Sequence, residues 1–232
     1  MAKFAKIIHK NKESFLIKKF IALFTEKLNK CIKNKERFSF VITGGKSPIK
    51  LYKELAKQNL PWNKVDFFMS DERYVKENSK HSNIFMCKKN LLNKIKISSS
   101  QIFNISTNKS LIDNTIDYDK KIQNYFLKKK IVFDLILLGI GHDGHIASLS
   151  KDTLYMNAKR NKKLNSYVEF ALWKDLSRIT LNIRCINNCK NIFLWAPGKK
   201  KLKIVKKILS DKKLKYPASY LRKKETYLFY SN

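Results

Sequence analysis

Apolar residues along this chain fall into two kinds of run. Short, nearly unbroken ones recur at "RFSFVIT" (37–43), "VDFFMS" (65–70), "QIFNI" (101–105), "VFDLILLGI" (132–140), "RITLNI" (178–183), "NIFLWAP" (191–197) and "TYLFY" (226–230). Bounded by turn-forming residues, they read as strands. Between them lie stretches with apolar residues at helical spacing, at 15–32, 47–58, 82–95, 113–129 and 199–209. Pro48 falls in the first turn of the second of these, where a proline is tolerated. Asp113 stands where the fourth needs an N-cap, and the last carries Leu202, Val205, Ile208 and Leu209 on one face. The run at 132–140 shows no polar alternation, as expected of a central parallel strand covered on both sides. Strands alternating with helices predict an α/β fold: a Rossmann-like, open, mostly parallel sheet with helices on both faces. No long linker, repeat or low-complexity segment interrupts the pattern, so one domain is expected over residues 1–232.

Composition narrows the classes of function. No apolar run approaches the length of a membrane span, and the first residues lack the apolar core of a signal peptide. Four scattered cysteines, Cys31, Cys87, Cys185 and Cys189, read as free thiols, which points to a reducing cytoplasm. The formal charge is +32, which would suit a partner such as nucleic acid or an anionic membrane. However, 44 of the 50 basic residues are lysine and 6 are arginine, spread along the whole chain beside 21 asparagines. Phosphate and base recognition favour arginine in clusters. The charge therefore reads as compositional bias, with neither a specific nucleic-acid partner nor a membrane partner expected. A positive field still raises the encounter rate with anionic substrates.

Two strand–turn–helix junctions stand out, because open α/β sheets bind ligands at such places. The first is "ITGGKSPIKLY" (42–52). Gly44 and Gly45 allow close backbone approach, Lys46 adds charge and Ser47 a hydroxyl, all before a helix N-terminus that favours anions. This is a recipe for holding a phosphate, and equally for a tight turn with Ser47 as N-cap. The second is "GIGHDGHIAS" (139–148), which contains two of the four histidines. Asp143 and His145, two apart, can meet in a turn where the carboxylate orients the imidazole, and histidine is the natural general base near neutral pH. The spacing of "HDGH" is wrong for a zinc pair and no third ligand is evident, so no metal is expected. A third segment, "SDERYV" (70–75), puts Asp71, Glu72 and Arg73 at the end of the second strand, either as a solvated loop or as part of the same site.

Taken together, "GGKSP" (44–48), "SDERYV" (70–75), "HSNIFM" (81–86), "FDLILLGIGHDGHIASL" (133–149), "SRITLN" (177–182) and "APGKKK" (196–201) resemble the 6-phosphogluconolactonase family, within the glucosamine-6-phosphate isomerase/deaminase superfamily. They occur in that family's order and spacing over about residues 37–219. The deaminase branch is the nearest alternative. It tends to carry Asp-Glu-Tyr where this chain has Asp71-Glu72-Arg73, and continues past the histidine into Phe-Asn-Glu-Pro. Here "IASLS" follows His145, with no nearby glutamate. Lys46-Ser47 stands in place of the usual Ser-Thr, and Ser150-Lys151 in place of the usual Phe-Pro, which leaves the course of 151–172 open.

The resemblance implies hydrolysis of 6-phospho-D-glucono-1,5-lactone in the oxidative pentose phosphate pathway, without a cofactor. It implies His145 as the base, Asp143 as its orienting partner and Arg73 beside the developing oxyanion. Gly44, Gly45, Lys46, Ser47, Asp71, Glu72, Arg178 and Lys201 are implied in holding the phosphorylated sugar, with Asp71 and Glu72 read equally as supports of Arg73 or as structural. Lys201 stands next to Lys199 and Lys200, so its register is open by a residue or two. Asn83 is expected to be structural, and His142 to matter less than His145. Oligomeric state is not readable from the sequence.

Overall fold

The computed structural model describes residues 4–34, 37–127, 130–153, 166–173, 176–211, 213 and 215–232. Its strands are β1 (Lys6–Lys10), β2 (Phe38–Ile42), β3 (Val65–Met69), β4 (Asp71–Arg73), β5 (Ile102–Phe103), β6 (Leu135–Gly139), β7 (Val168–Ala171), β8 (Arg178–Leu181), β9 (Ile192–Ala196) and β10 (Thr226–Ser231). Its α-helices are α1 (Glu13–Asn34), α2 (Ile49–Leu55), α3 (Asn83–Asn90), α4 (Leu111–Tyr125), α5 (Ile183–Asn187) and α6 (Lys199–Ser210). Seven strands form one sheet in the order β1-β10-β9-β6-β2-β3-β5, and every neighbouring pair is parallel. The α/β fold expected from the sequence is thus present.

Every residue of β2, β3 and β9 is buried, which explains their unbroken apolar sequences. Alternate side chains serve opposite layers. On one face Phe20 of α1 meets Phe193, Trp195 and Phe229 at ring separations of 5.2, 5.7 and 5.4 Å, and Phe24 meets Phe38 and Phe40. On the other, Phe68 packs against Tyr125 of α4 and against Phe133, each at 4.9 Å. Burying a side chain of this size stabilises the fold by about 1.5–3 kcal/mol. These two aromatic layers therefore fix the sheet between α1 and α4.

Strand order determines where a ligand can bind. From β2 the chain steps outward to β3 and β5; from β6 it steps the other way to β9 and β10. Adjacent strands β2 and β6 therefore mark the switch point, where the connections leave in opposite directions and open a crevice at the strands' carboxyl ends. Both glycine turns emerge there. Two tyrosines tie off the ends of neighbouring strands. The Tyr52 hydroxyl accepts from Thr43 N (3.0 Å) and donates to Thr43 O (2.7 Å). Tyr118 does the same for Met69 N (2.9 Å) and O (2.8 Å). Burial raises both phenols well above their ordinary range, so each stays a neutral donor and acceptor.

Several elements differ from the sequence expectation. Residues 178–183 do begin with a strand, β8, but it lies in a second, antiparallel sheet of order β4-β8-β7. The strands β1, β4 and β7 were not expected, being short or rich in charge. The helix expected at 113–129 starts at Leu111, because the Ser110 hydroxyl rather than Asp113 accepts from the third helical N–H, that of Asp113 itself. Residues 128 and 129 lie outside the described residues. The helix expected at 47–58 is shorter, with Pro48 rather than Ser47 at its N-cap and no side-chain cap bond. The helix expected at 82–95 ends at Asn90 and is followed by a 3-10 turn at Leu92–Lys94. Of the segment 151–172, residues 154–165 lie outside the described residues, and Val168–Ala171 form β7. Among the described residues no helix is long and apolar enough to cross a membrane.

Candidate active site

The cleft at the switch point is lined by Thr43 to Ser47 from one turn, by Gly139 to His142, His145 and Ala147 from the other, and by Asp71, Arg73, Asn83, Arg178 and Lys201 around them. The first turn is held from below, where Trp195 Nε1 donates to Ser47 O at 3.1 Å. Gly44 packs directly on Asn83: a Cβ there would lie 2.0 Å from that side chain. No larger residue fits without moving Asn83.

The second turn closes on itself. Gly141 N donates to His145 O (2.8 Å) and Gly144 N to Gly141 O (3.1 Å), with Gly144 at φ +85°. Asp143 Oδ1 accepts from His145 N (3.2 Å) and stands 2.6 Å from His145 Nδ1. A carboxylate only accepts, so Nδ1 carries the hydrogen of this bond, which makes Nε2 the basic nitrogen of the neutral ring. Partial burial works to raise the Asp143 carboxyl, but the His145 charge and hydrogen bonds outweigh it and hold the group below its usual range. A Cβ at Gly141 would fall 2.1 Å from Nδ1. The absence of a side chain there makes room for the pair.

Ser148 locks this turn to its surroundings. Its hydroxyl donates to Asp71 Oδ2 (2.8 Å), its N–H to Thr180 Oγ1 (3.3 Å), and its carbonyl accepts from Trp173 Nε1 (3.1 Å). Ala147 beside it has φ +47°, a conformation that costs a side-chain-bearing residue about 1–2 kcal/mol. The three Ser148 bonds offset that cost and hold the turn.

The small sheet supplies the cleft's charged wall. In its register Asp71 stands opposite Thr180, and Arg73 opposite Arg178. Strand alternation puts these four on one face and Glu72 on the other. Two guanidinium groups opposite each other repel, so the wall suits an anion. Arg73 Nη1 donates to His81 O (2.8 Å) and Asn83 Oδ1 (3.0 Å). Asn83 in turn donates to Asp71 O at 3.0 Å. Lys201, at the start of α6, donates to Ile140 O at 2.6 Å; burial lowers its ammonium while Asp143 opposes the shift. Of Lys199, Lys200 and Lys201, only the last lines the cleft.

Nine of the eleven residues singled out in the sequence line this cleft: Gly44, Gly45, Lys46, Ser47, Asp71, Arg73, His145, Arg178 and Lys201. Asp143 lies behind His145 and reaches the cleft only through it. Glu72 is the correction. Its carboxylate is buried and turned to α3, where it accepts from Asn83 N (2.6 Å), Ile84 N (2.8 Å), Arg73 N (2.7 Å) and the Ser82 hydroxyl (3.0 Å). It satisfies the orphan donors of a helix start rather than a ligand. Burial pushes its pKa up to about 7 against those same donors. Glu72→Ala is expected to lower stability by about 3 kcal/mol, since it leaves several buried donors unmet. Urea unfolding checks this, and a loss under about 1 kcal/mol would contradict the assigned role.

Trp173, Thr180 and Ser148 carry no functional signal in the sequence. Ser148 lies within the "GIGHDGHIAS" segment, where a serine carries no signal of its own. Trp173 sits in a segment without a motif, and only its closeness to Arg178 in the chain hinted at it. Reading "DER" as a strand would have separated Glu72 from Asp71 and Arg73 in advance. Among the described residues, no group of three or more His, Cys, Asp or Glu side chains stands together in a way that could hold a metal ion.

The chain is similar to known proteins in sequence and in fold. A family model described as glucosamine-6-phosphate isomerases/6-phosphogluconolactonase matches residues 11–230. The 6-phosphogluconolactonase of Thermotoga maritima is 31% identical over 199 residues, 86% of either chain. That of Nostoc sp. is 28% identical over 220 residues, 90% of this chain and 88% of the other. Among solved structures, the T. maritima 6-phosphogluconolactonase superposes with a TM-score of 0.83 at 28% identity, covering 97% of this chain and 98% of that one. The Plasmodium vivax enzyme gives 0.84 at 26% identity, covering 97% and 90%. With the matched model spanning nearly the whole sequence, the chain belongs to the glucosamine-6-phosphate isomerase/6-phosphogluconolactonase family.

Proposed function

We propose that this protein hydrolyses 6-phospho-D-glucono-1,5-lactone to 6-phosphogluconate. The observation that carries the reading is the Asp143–His145 pair, 2.6 Å apart, in a cleft whose other walls hold Lys46, Arg73, Arg178 and Lys201. A general base thus stands among groups suited to a dianionic phosphate and a developing oxyanion.

The lactone carbonyl is already electrophilic, so the chemistry asks for an activated water and a home for charge. His145 Nε2 takes a proton from water as the oxygen attacks C1. Asp143, bonded to Nδ1, orients the ring and stabilises the imidazolium that forms. The tetrahedral oxyanion is met by donors on the same cleft: the N–H groups of Gly44 and Gly45, and the Arg73 guanidinium. Collapse breaks the bond from C1 to the ring oxygen. The imidazolium returns its proton to that oxygen, which leaves as a hydroxyl, and the new acid ionises. The phosphate lies against Arg178, whose planar fork matches its oxygens, with Lys201, Lys46 and Ser47 nearby.

Asp71 is the only carboxylate lining the cleft among the described residues, and Ser70, Ser148 and Asn83 already donate to it. Deamination of an aminosugar phosphate calls for a further acid to open the ring, so the site favours the simpler hydrolysis. Both substrates should be offered to the purified protein. Rapid loss of the lactone carbonyl signal in carbon NMR, with no ammonia from glucosamine-6-phosphate, is expected. Ammonia release would transfer the protein to the other branch of the family.

A further inference from the structure

One side chain touches three working parts of this cleft without belonging to any recognised motif. Trp173 lies just past β7, whose last residue, Ala171, pairs with Arg178. The Arg178 guanidinium carbon sits 4.0 Å from the centre of the indole ring. The His145 ring meets the same indole edge-to-face, at 4.9 Å between centroids and 80° between planes. The indole N–H is spent on Ser148 O, at 3.1 Å, in the turn that carries His145. Arginine stacks well on aromatic faces, and a guanidinium over an indole gains from the ring quadrupole as well as from contact. Such stacking fixes the plane of the fork, and the plane decides whether two parallel hydrogen bonds can reach one phosphate.

On these contacts, and resting on the lactonase reading above, we infer that Trp173 is a positioning residue that sets Arg178 for the substrate phosphate and His145 for the water. Its ring presents a broad face to the arginine and braces the imidazole on a side that Asp143 does not hold. Asp143 restrains the imidazole through Nδ1 alone, which leaves the ring free to swing about that bond. The indole removes that freedom. Binding and proton transfer therefore depend on the shape and π face of one side chain, while its N–H serves the backbone.

Three variants separate these contributions: Trp173→Phe keeps an aromatic face, Trp173→Leu keeps bulk without one, and Trp173→Ala removes both. Each is assayed for kcat and KM on the phosphorylated lactone and on unphosphorylated D-glucono-1,5-lactone, and for inorganic phosphate binding by calorimetry. The leucine and alanine variants are expected to raise KM for the phosphorylated lactone about tenfold and to weaken phosphate binding by a similar factor. KM for the unphosphorylated lactone should change little, while kcat falls on both substrates. The phenylalanine variant should restore most of the binding, within about threefold of wild type. Wild-type constants in the leucine variant, or an equal rise in KM on both lactones, would overturn the inference. Unchanged phosphate affinity in that variant would do so as well. The calorimetric arm needs no turnover. A wild-type protein inactive on the lactone would defeat the lactonase reading, while phosphate binding that still follows the aromatic face would uphold Trp173's hold on Arg178.

Discussion

Replacing His145 by alanine is expected to lower kcat on the phosphorylated lactone by about 10²–10⁴-fold, the usual contribution of a positioned general base. KM and the thermal midpoint should stay near those of the unaltered protein. The imidazole is only partly buried, with 28% of its side chain exposed, and its ring bonds are to Asp143 alone among the hydrogen bonds of the described residues. What its removal takes from the packing is chiefly the edge-to-face contact with Trp173. The turn keeps its backbone closure from Gly141 and Gly144 and its anchor at Ser148. The loss should therefore fall on the chemical step. Turnover near the normal rate would remove the imidazole as the base, and a large fall in thermal midpoint would mean that the ring was holding the fold.

Replacing Arg178 by alanine should act on the other half of the reaction. A charge-assisted hydrogen bond contributes about 1.5–3 kcal/mol, so KM for the phosphorylated lactone is expected to rise about 10–100-fold. KM for the unphosphorylated lactone should move far less. Arg178→Lys keeps the charge but loses the fork, and an intermediate effect is expected. The fold should tolerate the alanine variant, because it also removes the repulsion between Arg178 and its cross-strand partner Arg73. An equal rise in KM on both lactones would exclude a phosphate contact at this position.

Much of this site is legible in the sequence for a simple physical reason. Glycine turns after buried strands mark the carboxyl edge of a parallel sheet, and parallel strands bring such turns together wherever the chain changes direction. The apolar runs ending at Ile42 and Gly139 are therefore enough to expect Gly44, Gly45 and His145 in one cleft. The antiparallel sheet escapes that reasoning. Its strands are short and its sequence "DER" looks like a solvated loop, because charged residues rarely mark a buried strand. Yet the pairing of β4 with β8 is what faces Arg73 towards Arg178 and turns Glu72 to the start of α3. A contact between Asp71 and Ser148, 77 residues apart, or between Trp173 and His145, has no local signal at all. Such contacts depend on the tertiary path of the chain, and spacing along the sequence cannot announce them. The lysines illustrate the converse. Three successive lysines, 199 to 201, are equivalent in sequence, and the start of α6 turns one of them, Lys201, towards Ile140 O.

The central claim is that this chain opens a phosphorylated lactone with its own side chains at the switch-point cleft. The most direct measurement is a coupled assay in which product 6-phosphogluconate is oxidised by its dehydrogenase and the reduced nicotinamide is followed optically. It is run with the purified protein after treatment with EDTA, the chelator being removed before any metal the coupling enzyme needs is supplied. A rate well above spontaneous hydrolysis, unaffected by the chelator and lost in the His145→Ala variant, is the predicted result. No acceleration over the spontaneous rate, or a rate that survives loss of His145, would contradict it.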